Sequence, residues 1–133
     1  MDISVISSYR AKDILPLYQS AGWTGYASDP DMVRAAHENS LLIIGAYESG
    51  HLIGFIRAVG DGASIVLIQD IIVSPEHRRR GIGSSLMRAM MERYSGVYQM
   101  ELMTDDQPDT AAFYESLGFK KAHDLGCCAY MRM

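Results

Sequence analysis

Apolar residues recur along this chain with two periods, and the switches between them divide it into elements. Ile3 to Ser7 reads as a short strand. From Tyr9 to Ser20, the positions Ile14, Leu15, Leu17 and Tyr18 suit one helical face, with Pro16 interrupting it. Gly22-Trp23-Thr24-Gly25-Tyr26 follows as a glycine-flanked aromatic loop. Asp29-Pro30 has the form of an N-cap and a first-turn proline, which predicts a second helix to Asn39.

Leu41 to Glu48, the turn Ser49-Gly50, and His51 to Val59 predict an antiparallel hairpin. Gly60-Asp61-Gly62 turns the chain into Ser64 to Val73, a strand rich in Ile and Val and therefore central. Pro75 ends it. A helix beginning near Gly81 or Gly83 buries Leu86, Met87, Met90 and Met91 and runs to Tyr94. Val97 to Met103 is a further strand, and Asp109 to Leu117 a short helix with Gly118 as its C′ residue. Phe119 to His123 and Cys128 to Arg132 predict a closing hairpin around Asp124 to Gly126. This order gives an α/β (α+β) domain on one mixed, mostly antiparallel sheet of about six or seven strands, flanked by about four helices. No repeat, linker or low-complexity tract divides the chain, so residues 1–133 are read as a single domain.

Composition narrows the class. With 48% hydrophobic and 21% charged residues, the chain is of globular type, which excludes disordered and collagen-like classes. A net charge of −4 argues against nucleic acid as the partner. The longest apolar run, Leu41 to Tyr47, is far short of the roughly 20 residues that span a bilayer, so no membrane partner is expected. No charged-then-apolar leader is read at Met1, since Asp2 and Ser4 interrupt it, and the expected compartment is the cytoplasm. Cys127 and Cys128 are adjacent and make no disulfide framework. The histidines His37, His51, His77 and His123 lack metal-ligand spacing, so no metal is expected.

The most informative segment is Asp70 to Leu86, where a strand leads through a basic, glycine-bearing turn into an amphipathic helix. Gly81 and Gly83 let bare N–H groups approach a ligand, and a helix N-terminus favours an anion such as a pyrophosphate. Arg78, Arg79 and Arg80 add cations to the same loop. A dinucleotide fingerprint would need a third glycine where Leu86 stands, and a P-loop would need a Gly-Lys-Ser/Thr that is missing. The plainer alternative is a solvated charge run capping a helix.

The stretch Asp70 to Leu86, together with Ala111-Ala112-Phe113-Tyr114-Glu115-Ser116-Leu117-Gly118-Phe119, resembles the GNAT superfamily of N-acetyltransferases. The resemblance implies a GNAT-like fold and acetyl-CoA as the acetyl donor. The family's pyrophosphate-binding pattern, Arg/Gln-x-x-Gly-x-Gly/Ala, falls on Arg78, Gly81 and Gly83, with Arg79, Arg80, Ile82 and Ser84 in the same loop. The strand before it would offer backbone groups of Ile71, Ile72 and Val73 to the pantetheine arm, as an added strand would, and one N–H to the thioester carbonyl. Tyr114 would protonate the leaving thiolate, since a phenol is protonated at neutral pH. Gln107, before Pro108, stands where many members have asparagine and implies a further donor contact.

The general base is not fixed by the resemblance. Asp70, inside an apolar strand, is the conspicuous carboxylate, either as base or water relay or as a hydrogen-bonded structural acid. Strict alternation would place it with Ile68 and Ile72. Glu101, Asp105 and Asp106 are further candidates. The acceptor pocket implied by the fold involves Trp23, Thr24 and Tyr26 with Asp105, Asp106 and Asp109, a setting that suits a small amine with an apolar body. Trp23 could equally be packing at the helix joint. The expected function is direct acetyl transfer to a primary amine in a ternary complex. Acetylation of a protein or peptide, and a non-catalytic acyl-CoA sensor, are the alternatives, and a homodimer stays open.

Overall fold

The computed structural model describes residues 1–133, whose contacts divide into two compact units, Met1–Leu102 and Met103–Met133. The first carries a five-stranded sheet in the order β1 (Asp2–Val5), β2 (Leu42–Glu48), β3 (His51–Gly60), β4 (Ile65–Val73) and β5 (Gln99–Leu102). Neighbours are antiparallel up to β4, and β4 pairs with β5 in parallel. The helices are α1 (Ala11–Ser20), α2 (Thr24–Ala27), α3 (Pro30–Glu38) and α4 (Ile82–Arg93). The parallel β4–β5 step requires a crossover, and α4 supplies it.

Local chemistry sets the boundaries. Asp29 caps α3 as its sequence promised: its carboxylate accepts the Met32 N–H at 3.2 Å, with Pro30 in the first turn. Asp61 organises the β3–β4 turn by accepting the Ser64 hydroxyl and the N–H groups of Ala63, Ser64 and Ile65, which together hold its carboxyl well below the usual range, the hydroxyl most of all. Gly60 is required there, because a Cβ at its φ of +130° would collide with the Ile65 carbonyl.

One core lies under α1 and α3, where Ile14, Leu17, Tyr18 and Val33 meet Ile43, Phe55 and Ile72 of the sheet. Ile82, Leu86, Met87 and Met90 of α4 are buried as well. Trp23 and Tyr26, predicted in an irregular loop, sit at the start of and within the one-turn helix α2 and pack half-buried on the first core.

The strand pattern departs from strict alternation at one place. Arg57 is opposite Asp70, but its neighbour Ala58 is opposite Ile68, so Gln69 is an extra residue, a β-bulge. Beyond the bulge the facing parity of β4 reverses. Asp70 therefore shares a face with Ile72, Arg57 and Phe55, and not with Ile68 as alternation alone implied.

The second unit holds α5 (Pro108–Ser116) and a 3-10 turn at Ala122–Leu125. The closing hairpin predicted from Phe119 to His123 and Cys128 to Arg132 does not form, so the sheet has five strands rather than six or seven. Short-range bonds take its place: Gly126 N–H donates to His123 O at 3.0 Å and Cys127 N–H to Ala122 O at 2.9 Å, with Gly126 left-handed at φ +78°. A lone two-stranded ribbon is marginal, and these local bonds compete with it.

Candidate active site

The basic loop is built to leave backbone donors free. After β4, a 3-10 turn at Pro75–His77 is closed by His77 N–H donating to Ser74 O at 3.0 Å. Arg79 (φ +64°) and Gly81 (φ +77°) then take left-handed conformations that swing the chain into α4. Gly81 is the N-cap, so no side-chain oxygen consumes the first helical donors. The first backbone bond within α4 comes from Ser85 N–H to Gly81 O, at 3.0 Å. That leaves the N–H groups of Ile82, Gly83 and Ser84 at the positive end of a twelve-residue helix. The Ile82 side chain is buried, so its contribution to a ligand can only be its backbone.

The three arginines are not equivalent. Arg80 is held to Glu48, at the end of β2, by a 2.6 Å ion pair, which pulls the Glu48 carboxyl below its usual range. Arg78 leans back on its own strand, its Nε donating to Val73 O at 3.4 Å. Arg79 points from the left-handed corner and is exposed.

β4 changes partners where the bulge occurs. Its pairing with β5 ends at Ile68 opposite Leu102, and from Asp70 to Val73 it is paired with β3 alone. Alternate N–H and C=O groups of Ile71, Ile72 and Val73 therefore face away from β3 with no partner strand, the arrangement an extended ligand can extend.

Under the bulge lies a buried polar chain. Arg57 Nε donates to Asp70 Oδ2 at 2.6 Å, and the Tyr18 hydroxyl donates to the same oxygen at 2.5 Å. His37 Nε2 is 2.8 Å from the Tyr18 oxygen. Since the hydroxyl's single proton goes to Asp70, His37 must donate, which assigns its proton to Nε2. Burial and the nearby Arg57 charge push the His37 pKa down to about 4, and burial followed by the Asp70 charge pushes Tyr18 up. Of the two roles open to Asp70, this geometry favours the structural one: Oδ2 is doubly bonded and the side chain is 1% exposed, while Oδ1 is buried without a partner.

In the second unit, Tyr114 is fixed by the end of its helix. Phe119 N–H donates to Tyr114 O at 3.1 Å and Gly118 N–H to Glu115 O at 3.0 Å, with Gly118 at φ +93°. This is a Schellman cap, and the Phe119 ring meets the Tyr114 ring at 6.1 Å. The Leu-Gly-Phe sequence thus sets the tyrosine from behind. Burial, then the Asp105 charge, raises the Tyr114 pKa. Asp105 Oδ1 accepts the Gln107 N–H at 3.2 Å, while the Gln107 side chain makes no cap bond and is exposed. Asp106 is exposed, 4.0 Å from Lys121 Nζ.

The family profile described as "Acetyltransferase (GNAT) domain" matches residues 39–121. The chain belongs to this family. A GNAT-family protein from Streptococcus pneumoniae TIGR4 is 36% identical, with a TM-score of 0.91 over 99% of this chain and 96% of that one. The uncharacterized N-acetyltransferase ycf52 of Pyropia yezoensis is 26% identical over 90% of this chain and 71% of its own length. An aminoglycoside 6'-N-acetyltransferase solved with coenzyme A shares the fold at 19% identity, with a TM-score of 0.72 over 89% of this chain and 84% of that one. The GNAT chain is accordingly an acetyltransferase enzyme. No helix in it is long and apolar enough to cross a membrane.

Within the GNAT domain, the expected site residues fall into separate groups. Trp23, Tyr26, Asp70, Ile71 to Val73 and Arg78 to Ser84 belong to the first unit, and Asp105, Asp106, Gln107 and Tyr114 to the second. In the first unit, Trp23 and Tyr26 lie with ring centroids 6.0 Å apart. Gln69 Nε2 donates to the Tyr26 hydroxyl at 3.3 Å, so the aromatic segment reaches the β4 bulge. Sequence reading passed over Tyr18, His37, Arg57 and Gln69. A signal did exist for one of them: Arg57 is the lone charge in an apolar strand, as Asp70 is in the next, and two such residues in paired strands are an ion-pair signature.

Proposed function

We propose that this GNAT domain, with residues 1–133 working as one functional domain, transfers the acetyl group of acetyl-CoA to a small primary amine in a ternary complex. The observation that carries the reading is the continuity of an open strand with an open helix end. β4 runs unpaired on one side up to Val73, and a few residues later the free N–H groups of Ile82, Gly83 and Ser84 begin α4. An extended arm ending in a pyrophosphate matches that sequence of donors.

The Gly81–Ser84 backbone and the Arg78 and Arg79 side chains take the pyrophosphate charge, with Arg80 already committed to Glu48. Ile71, Ile72 and Val73 align the arm, and one of their N–H groups stabilises the oxyanion formed on attack. Gln107 offers the donor a further amide. The neutral amine, having shed its proton to solvent, bonds to the carbonyl carbon. As the tetrahedral centre collapses, the carbon–sulfur bond breaks, Tyr114 gives its phenolic proton to the thiolate, and the new amide nitrogen sheds its extra proton to solvent, from which the phenol is restored. Its raised pKa keeps that proton available. Trp23 and Tyr26 give the acceptor an aromatic surface, and Asp105 and Asp106 supply the negative charge that draws a cationic amine. Asp70 serves this reaction as a fixed buried charge under the strand.

The test is calorimetric titration with acetyl-CoA followed by an assay of CoA release. Polyamines, arylalkylamines, amino acids and a peptide with a free N-terminus are compared side by side. The expected result is acetyl-CoA binding with release stimulated by arylalkylamines. Release with the peptide alone makes the enzyme a protein acetyltransferase, and binding without any release makes it an acyl-CoA sensor.

A further inference from the structure

The bulge in β4 is touched from one direction by two tyrosines of the same segment. Tyr18, at the end of α1 and fully buried, donates its hydroxyl to Asp70 at 2.5 Å. Tyr26, in α2, takes the Gln69 side-chain amide at 3.3 Å. Gln69 and Asp70 are the bulged residue and its successor, so both contacts fall where β4 leaves β5. The two tyrosine rings are stacked on each other, with centroids 4.8 Å apart and planes within 5° of parallel. Trp23 completes the group, 6.0 Å from each ring.

We propose that Tyr18 is a positioning residue, a strut that ties the Trp23–Tyr26 segment to the β4 bulge and so sets the acceptor surface against the donor strand. This rests on the function proposed above. Acyl transfer depends on holding two reactants in near-attack geometry, and small displacements are costly in rate. Here the donor would lie along β4 and the acceptor on α2, two elements not linked in the sheet. The side-chain hydrogen bonds that join them run through Tyr18 and Tyr26. The hydroxyl of Tyr18 is itself held from the other side by His37 at 2.8 Å, and Asp70 by Arg57 at 2.6 Å, so neither end of the strut is free to turn. A packing tyrosine needs only its ring. This one uses its hydroxyl as both donor and acceptor, in a line from α3 through α1 to β4.

A strut of this kind transmits a change at one end to the other, and the chain carries a reporter for it. Trp23 is the single tryptophan in the sequence. Acetyl-CoA seated along the open side of β4 displaces the bulge slightly, and the stacked tyrosines pass that to the indole. Tyr18→Phe keeps the ring stack and removes the link to Asp70. The experiment measures acetyl-CoA affinity by calorimetry and Trp23 emission during the same titration, in the wild type and in Tyr18→Phe. The expected result is an emission change in the wild type, and in Tyr18→Phe an affinity within threefold of it with the emission change reduced at least fivefold. A response that survives in Tyr18→Phe overturns the strut, as does a wild type that binds acetyl-CoA with no change at Trp23. Failure of the wild type to bind acetyl-CoA at all overturns the donor reading and the strut with it. If Tyr18→Phe does not fold, Gln69→Ala decides, because that side chain is exposed. Its emission change should fall at least twofold, and an unaltered response rejects the proposal.

Discussion

Arg57 and Asp70 face each other as register partners of β3 and β4, joined at 2.6 Å with side chains 5% and 1% exposed. A pair so far from water is weak evidence of net stability, but removing one member strands the other. Arg57→Leu leaves the Asp70 charge with only the Tyr18 hydroxyl, and should cost about 3–5 kcal/mol in denaturant unfolding. Adding Asp70→Asn removes the stranded charge, so the double variant should be more stable than Arg57→Leu alone. If the double variant is the less stable of the two, the carboxylate is not charged in the folded protein.

His37 makes the fold sensitive to mild acid. Its folded pKa, pushed down to about 4, lies below the ordinary value of 6.5. Above pH 6.5 neither state is protonated and the interaction is fully present. As pH falls from 6.5 toward 4, the unfolded chain takes a proton that the folded one refuses, and stability is lost, by about 3 kcal/mol in all. Below pH 4 both states are protonated and this loss stops growing. Urea midpoints at pH 7 and pH 5 should separate in the wild type. In His37→Gln, whose amide can still donate to Tyr18, the separation should shrink.

Tyr114→Phe tests the leaving-group acid without disturbing the cap. The Schellman bonds at Tyr114 are backbone bonds and the Phe119 contact is to the ring, so both survive the change. Thermal stability should hold, acetyl-CoA affinity should stay near wild type, and kcat should fall about 10²–10⁴-fold. Because burial and then the Asp105 charge raise the phenol's pKa, any loss of wild-type kcat from Tyr114 ionisation should set in at higher pH than an ordinary tyrosine would give. A variant within twofold of wild-type kcat makes Tyr114 a packing residue.

The phosphate loop predicts a ranking. Gly83 is in the first turn of α4, among the free donors, and a valine there blocks close approach of a pyrophosphate. Gly83→Val should weaken acetyl-CoA at least tenfold, about 1.4 kcal/mol. Arg80 is held to Glu48 at 2.6 Å, so Arg80→Ala should cost less than threefold. Calorimetry giving the reverse order would place the binding charge on Arg80 and remove the backbone from its leading role.

Much of this was legible in the residues, and the exceptions have a common cause. The β2–β3 hairpin, the Asp29 cap, the Gly60–Gly62 turn and the Gly118 C′ position each rest on a few neighbouring residues, so local pattern sufficed. The loop from Arg78 to Gly83 was likewise readable, since its glycines and cations are contiguous. The bulge at Gln69 was not. Nothing in Ile68-Gln69-Asp70 marks an extra residue, because a bulge is a property of two strands in register. Missing it placed Asp70 beside Ile68 and hid the chain from His37 through Tyr18 to Asp70, whose members are 19 and 52 residues apart in sequence. The final hairpin failed for the opposite reason: alternation around Asp124–Gly126 suited strands, but the 3-10 turn satisfied the same backbone groups locally.

The acceptor surface carries the last prediction. Trp23 is half-buried, its ring at 6.0 Å from both Tyr18 and Tyr26, so one part of the indole packs and another is available. An aromatic face against an ammonium group is worth about 0.5–2 kcal/mol, which is roughly a two- to thirtyfold change in affinity. With 2-phenylethylamine as the acceptor, Trp23→Ala should raise its KM within that range. The acetyl-CoA KM should stay put, because the donor contacts proposed for β4 and α4 do not include Trp23. Trp23→Phe keeps a smaller ring in the same stack and should fall between the two. Circular dichroism separates the acceptor effect from the packing one. If Trp23→Ala loses its tertiary signal, the indole is core and the acceptor lies elsewhere. If it stays folded and the amine KM does not move, the aromatic segment serves the β4 bulge alone, and recognition of the amine must come from the acidic residues.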